Sequence, residues 1–198
     1  MTETPTYPIL DYARTLGLAF FDDPLFRYAF PKDHHRVKKL TQLLAPTIQA
    51  AQTYGGVEPL PNSHGILTWL DGQAFPLSLG SLMKHGLLKV LWHLGPWDLG
   101  RLMKHDTYAE EKTLEAALGR FAYIWCLGVH PEYSGQGLGT RLMERTFYTL
   151  RSKGYEYCLL RTENPNNVRF YRNRGFAVVH QERVEFSGLE FWVLRQAL

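Results

Sequence analysis

WCLGVHPEYSGQGLGTRLM, residues 125–143, is the stretch that decides the fold. It joins an apolar run at 124–129, which reads as a buried strand, to a pattern at 138–150 that reads as an amphipathic helix. Between them lie a proline and three alternating glycines, Gly135, Gly137 and Gly139. Glycine reaches positive φ without penalty and leaves no side chain between backbone and ligand. A glycine turn feeding a helix aims several N–H groups at one spot, where the helix dipole adds partial positive charge. The pattern predicts a phosphate cradle. A tight turn alone explains one or two glycines, not three alternating ones. A Walker loop would need Lys and then Ser or Thr after the last glycine, and here Thr140 and Arg141 follow Gly139. A dinucleotide fingerprint would need G-x-G-x-x-G, whereas Gly135, Gly137 and Gly139 simply alternate.

Downstream the pattern predicts a helix over 140–153 ending at Gly154, a strand over 157–162, and a short helix over 166–174 stopped by Gly175. FAVVHQERVEF and LEFWVLR, joined through SG, predict a closing antiparallel hairpin. Strands alternate with helices only over 121–162, so the one parallel pair is expected there and the sheet is expected to be mixed. Upstream, LDYARTLGLAFFDDPLF reads as a helix that ends near Asp22, Asp23 and Pro24, the stretch from Lys32 as another that stops before Gly55 and Gly56, 57–60 and 65–70 as strands about the turn PNSHG, and 79–118 as helical with a break at GPWD. LGSLMKH (79–85) and LGRLMKH (99–105) nearly repeat and predict two similar helices.

The chain has 198 residues, 45% of them hydrophobic, enough for one core and a single domain over 1–198. No run approaches the roughly 18 apolar residues of a membrane span, and MTETPTYPIL lacks the basic start and apolar run of a secretory signal. A cytoplasmic location without membrane association is expected. Cys126 and Cys158 fall in predicted strands and read as reduced core residues. His34 and His35 are adjacent, without metal-ligand spacing, so no metal is expected. The net charge is only +3, but from Gln136 to Gly175 eight basic residues face three acidic ones. That excess suits a polyanionic ligand. A nucleic acid is the weaker reading, because no recognition motif accompanies it.

LGVHPEYSGQGLGTRLM resembles the cofactor motif of the GNAT superfamily of acetyl-CoA-dependent N-acetyltransferases: strand, V-x-P, glycine turn, helix. ENPNNVRFYRNRGF is similar to that superfamily's second signature, with Asn164, Tyr171, Gly175 and Phe176 on the matching positions. The likeness covers 121–195, and the segments upstream resemble, more weakly, the puromycin N-acetyltransferase branch. It implies an α+β GNAT fold, a twisted, mostly antiparallel sheet with helices on both faces and one splayed parallel pair. It also implies acceptor-side helices and first strands over 1–120, and an acetyl-CoA-binding core over 121–198. The implied cofactor contacts are Leu127, Gly128 and Val129 along the strand edge; Ser134, Gly135, Gln136, Gly137, Leu138, Gly139 and Thr140 in the turn; and Asn164 and Asn167 beyond. The superfamily usually has Gln or Arg where Ser134 stands, which implies weaker cofactor binding, and Gln136 is a candidate to compensate.

The implied reaction is direct attack of a primary amine of a small molecule on the thioester of acetyl-CoA. A base must take a proton from the incoming ammonium, backbone N–H groups must meet the oxyanion, and an acid must protonate the departing thiolate. Tyr171 matches the superfamily's usual acid. Relatives often carry a Glu on the strand where Arg161 stands, so the base is open among Glu163, Asp22, Asp23 and His130, with Glu163 taken first. Phe26, Tyr28, Trp69, Trp92 and Trp97 are candidate walls of the acceptor pocket. A CoA-binding sensor without turnover is the alternative function. Acetyl-CoA and an amine acceptor are the expected partners, no nucleic acid among them, and a homodimer is left open.

Overall fold

The computed structural model describes residues 8–198. Six strands form one sheet: β1 (Gly55–Pro59), β2 (Gly65–Asp71), β3 (Phe121–Val129), β4 (Tyr157–Thr162), β5 (Ala177–Arg183) and β6 (Glu190–Ala197). Their order is β1-β2-β3-β4-β6-β5, and β3 with β4 is the one parallel pair among them. That pair sits where strands and helices alternate in the sequence, because a parallel neighbour needs a crossover long enough to return the chain. The crossover is α7 (Leu138–Ser152).

Helices cover both faces. α7 lays Leu142, Met143, Phe147 and Leu150 against Leu67, Trp69 and Leu160 of the sheet. On the opposite face α1 (Ile9–Ala19) and α3 (Arg36–Tyr54) bring Leu16, Leu40 and Ile48 against Ile66 and Cys126. Both cysteines are free and buried. α2 (Pro24–Ala29) packs on α6 (Pro96–Glu115), and α8 (Pro165–Arg172) follows β4. No helix among the described residues is long and apolar enough to cross a membrane.

The expected helical segment 79–118 is three helices: α4 (Leu79–Lys84), α5 (Leu87–Leu94) and α6. Gly86 and Gly95, at φ 95° and 79°, separate them. The near-repeat therefore does not make two equivalent helices. Its first copy fills α4 and is cut short by Gly86, whereas its second lies inside α6, where helix-forming residues carry the turn onward. The closing hairpin is longer-looped than expected. β5 ends at Arg183, and the loop 184–189 closes through Val184 N–H donating to Leu189 O at 2.7 Å, with Gly188 at φ 69°.

The feature that positions the site is the parting of β3 from β4. Their ladder runs from Phe121 with Tyr157 to Ile124 with Leu160 and then stops. β3 continues to Val129, paired on its other side with β2 as far as Gly65. The edge of β3 over 125–129 that faces β4 is thus unpaired, with α8 beyond the gap.

Candidate active site

The glycine turn opens directly from the end of β3. A 3-10 turn at Pro131–Tyr133 leads to Ser134, then Gly135 at φ 77°, and Gly137, at φ 76°, is the N-cap of α7. No side chain caps this helix, and its first turn carries no acidic residue. The N–H groups of Leu138, Gly139 and Thr140 therefore face outward into a zone of positive potential. A Cβ at Gly135 or Gly137 would meet nothing within 4 Å, so the cradle is open. Gly139 instead lets Phe170 approach, to 3.3 Å from where its Cβ would lie.

One side chain beside this cradle is not singled out by the sequence pattern. Arg174, just after α8, lies over the Phe170 ring with its Cζ 3.5 Å from the centroid, donates to Phe170 O at 2.5 Å, and donates to the Thr140 hydroxyl. Its Nε is buried without a hydrogen-bond partner. A cation thus stands in the first turn of α7, near where Ser134 lacks one. The signal was the local basic excess, but the sequence did not show which arginine folds back across 34 residues.

Between the parted strands lies a cavity of about 230 Å³. Phe20, Phe26, Leu102, Tyr123, Trp125 and Cys126 supply its largely apolar wall, and Asp23, Asp106, Glu110, Arg161, Glu163 and Tyr171 its ionisable groups. Arg161 pairs with Asp106, and its Nε lies 2.8 Å from Glu163 Oε1. His105 Nε2 is 3.4 Å from the same oxygen. Both contacts are close but misaligned, so Glu163 Oε1 is buried without a true hydrogen bond and the contact is ionic. Burial pushes the Glu163 carboxyl up, but Arg161 and His105 together hold it below the usual carboxylate range.

Asp23 is different. It is the N-cap of α2, its Oδ1 accepting from Leu25 N–H at 3.0 Å. Burial, reinforced by the charge of Glu163, pushes its carboxyl up to about 7. Burial with Asp106 beside it likewise takes Glu110 to about 7. The Tyr171 phenol is buried and pushed above its ordinary value, so it keeps its proton at neutral pH. The Cys126 thiol is pushed up to about 12 by burial, too protonated to act as a nucleophile.

The structure brings Glu163, Tyr171, Asn167 and Leu127 together at this cavity. Gly128 and Val129 continue its β3 edge, and Ser134 to Thr140 form the adjoining turn. Asn164 has a structural duty as N-cap of α8, its Oδ1 accepting from Asn166 N–H, while Asn167 donates to the Thr162 hydroxyl. Asp22 is exposed, and His130 caps the 3-10 turn through Glu132 N–H; neither lines the cavity. Of the expected aromatic walls only Phe26 lines it. Trp69 packs on Tyr155 in the core, and Trp92 and Trp97 are exposed. The basic excess of 136–175 is dispersed: Arg161 is buried in the cavity cluster, Arg145 pairs with Glu58, and Arg174 stacks at the cradle. No three or more His, Cys, Asp or Glu side chains are placed so that they could hold a metal ion among the described residues.

Residues 104–176 match a family model described as the acetyltransferase (GNAT) family. An uncharacterized N-acetyltransferase ycf52-like protein of Prochlorococcus marinus is 37% identical over 97 residues, 48% of this chain and 49% of its own length. A chloroplastic serotonin N-acetyltransferase 2 of Oryza sativa subsp. japonica is 38% identical over 77 residues, 39% of this chain and 36% of its own. The chain thus spans half or less of the length of these curated relatives. An agmatine N-acetyltransferase in its apo form superposes with a TM-score of 0.61 over 96% of this chain and 94% of that one, at 16% identity, a likeness of fold.

Proposed function

The chain belongs to the GNAT acetyltransferase superfamily, and from that premise we propose that it is an acetyl-CoA-dependent N-acetyltransferase acting on a primary amine of a small molecule. One observation carries the reading: the open glycine cradle and the carboxylate-lined cavity adjoin the same unpaired edge of β3, so a phosphate-bearing arm laid along that edge ends beside Tyr171.

The cradle suits a pyrophosphate. The α7 N–H groups and Arg174 supply donors and charge, and Arg174 stands in for the longer side chain absent at Ser134. Acetyl-CoA supplies the thioester carbonyl that an amine attacks. Asp23 takes a proton from the incoming ammonium, a step its half-buried carboxyl near pH 7 suits. Glu163, the first expectation for this step, is held ionised by Arg161 and is a weaker base. It sustains the negative field that keeps Asp23 receptive. N–H groups of the free β3 edge, 127–129, donate to the oxygen as it gains charge. Tyr171 gives its phenolic proton to the sulfur as the C–S bond breaks. Of the two protons the nitrogen loses, one restores the phenol and the other leaves to solvent. A covalent relay through Cys126 is disfavoured by its protonation, which supports direct attack.

Calorimetric titration of the wild type and Gly137→Trp with acetyl-CoA, followed by thiol release with a panel of amines, tests the reading. Saturable binding lost in the variant, and amine-dependent thiol release, are expected. A folded wild type that binds no acetyl-CoA at millimolar concentration would refute it, and binding without thiol release to any amine would leave the CoA-binding sensor.

A further inference from the structure

We propose that the acceptor is a linear diamine, one nitrogen reacting between Asp23 and Tyr171 while the distal ammonium is held by Glu110 and Asp106. The proposal rests on the acetyl-transfer reading of the same cavity and adds the class of its substrate.

Four carboxylates line the cavity and a single guanidinium answers them. Arg161 is already committed to Asp106 and Glu163. Among the described residues no ion pair involves Asp23 or Glu110. Two half-buried carboxylates without a paired cation are unfavourable in the ionised form unless a ligand brings the charge. Glu163 adds an independent sign: it is 7% exposed, lines the cavity, and its Oε1 lacks a hydrogen bond.

The unpaired carboxylates come from two elements, Asp23 from the N-cap of α2 and Glu110 from α6. Asp23 feels the charges of Glu163 and Arg161 and faces Tyr171, whereas Glu110 feels Asp106 and Arg161. Asp106 and Glu110 are one helical turn apart on α6, so two like charges share a face, an arrangement a cation between them relieves. Phe26, Leu102 and Tyr123 line the same cavity, surfaces suited to methylenes and not to a polar spacer. A monoamine would leave one end uncompensated, and a bulky polar acceptor would have its polar groups unmet along the wall.

The test compares binding of 1,4-diaminobutane and n-butylamine by calorimetry, with CoA present and absent, to the full chain and to Glu110→Gln. The diamine is expected to bind about tenfold or more tightly, the worth of one charge-assisted contact. In Glu110→Gln the advantage should vanish while acetyl-CoA affinity, which rests on the cradle, stays unchanged. Because ligand cations draw Asp23 and Glu110 into ionised form, diamine binding at pH 7 should also release more protons than butylamine binding, seen as a buffer-dependent heat. Equal affinities, or an advantage that persists in Glu110→Gln, overturn the proposal. So does acetyl-CoA binding and transfer to monoamines without diamine preference, which leaves the acetyl-transfer reading standing. Diamine binding by a protein that does not bind acetyl-CoA refutes the transfer reading and with it the acceptor assignment.

Discussion

Asp23 both caps a helix and faces the cavity, and asparagine can do only the first. Asp23→Asn keeps the cap on Leu25 N–H, so the variant should fold while kcat falls by about 10²–10⁴-fold, the usual worth of a general base. In the wild type kcat/KM should rise with pH through about 7 as Asp23 ionises, and the variant should lose that limb. A pH–rate profile decides; full activity with the limb intact would return the role to Glu163. The same raised carboxyl has a stability consequence. Between about 3.8 and about 7 the folded chain holds a proton that the unfolded chain has released, so this group's contribution to stability falls as pH rises through that window. Arg174 belongs to this scale too. Arg174→Ala should weaken acetyl-CoA binding about 10- to 100-fold, with Arg174→Lys recovering part of it, as titration would show. Ser134 was legible as a departure in the motif. Arg174 was not legible as the cation beside the turn, because the contact to Thr140 exists only once α8 has returned to the start of α7.

α8 shows how an element assigns one residue a task that a motif alone leaves ambiguous. Asn164 matched a signature and was expected to touch cofactor, yet its carboxamide satisfies an orphan N–H of the helix that carries Tyr171. Asn164→Ala should cost about 1 kcal/mol in urea unfolding, and Asn164→Asp almost none. If Asn164 serves only as the cap, acetyl-CoA affinity in the aspartate variant stays near wild type. α7 poses the opposite case, since its N-terminus has no cap and is open to a ligand. β3, α7, β4 and α8 were legible from the sequence within a few residues because hydrophobic period, glycine stops and turn residues agreed there. The stretch 79–118 read less well. An apolar helical pattern does not reveal breaks set by backbone conformation, and Gly86 and Gly95 break it at positive φ.

For the whole molecule, the ion-pair cluster about Arg161 links three elements: Asp106 on α6, Arg161 on β4 and Glu163 just beyond it. Arg161→Met would leave the buried Glu163 and the half-buried Asp106 without their counter-charge and should destabilise the fold by about 3–5 kcal/mol at neutral pH. Glu163, held below its ordinary range in the fold, contributes stability above the unfolded value of 4.5 that is lost as pH falls through its folded value. The penalty of Arg161→Met should therefore shrink in acid, which denaturant melts at two pH values would reveal. In the sequence Arg161 stood only as a residue in place of a carboxylate. The structure sets it as the counter-charge of a pocket whose other carboxylates come from α2 and α6, far away in the chain. The sequence by itself determined the strand–glycine turn–helix unit, the parallel pair and the tyrosine helix, since these follow from local periodicity and backbone freedom. Only the tertiary structure decided which carboxylates share a cavity, which two are left without an ion pair, and which arginine lies beside the cradle. Those properties depend on burial and on charges brought together across long loops, and neither is written in the spacing of neighbouring residues.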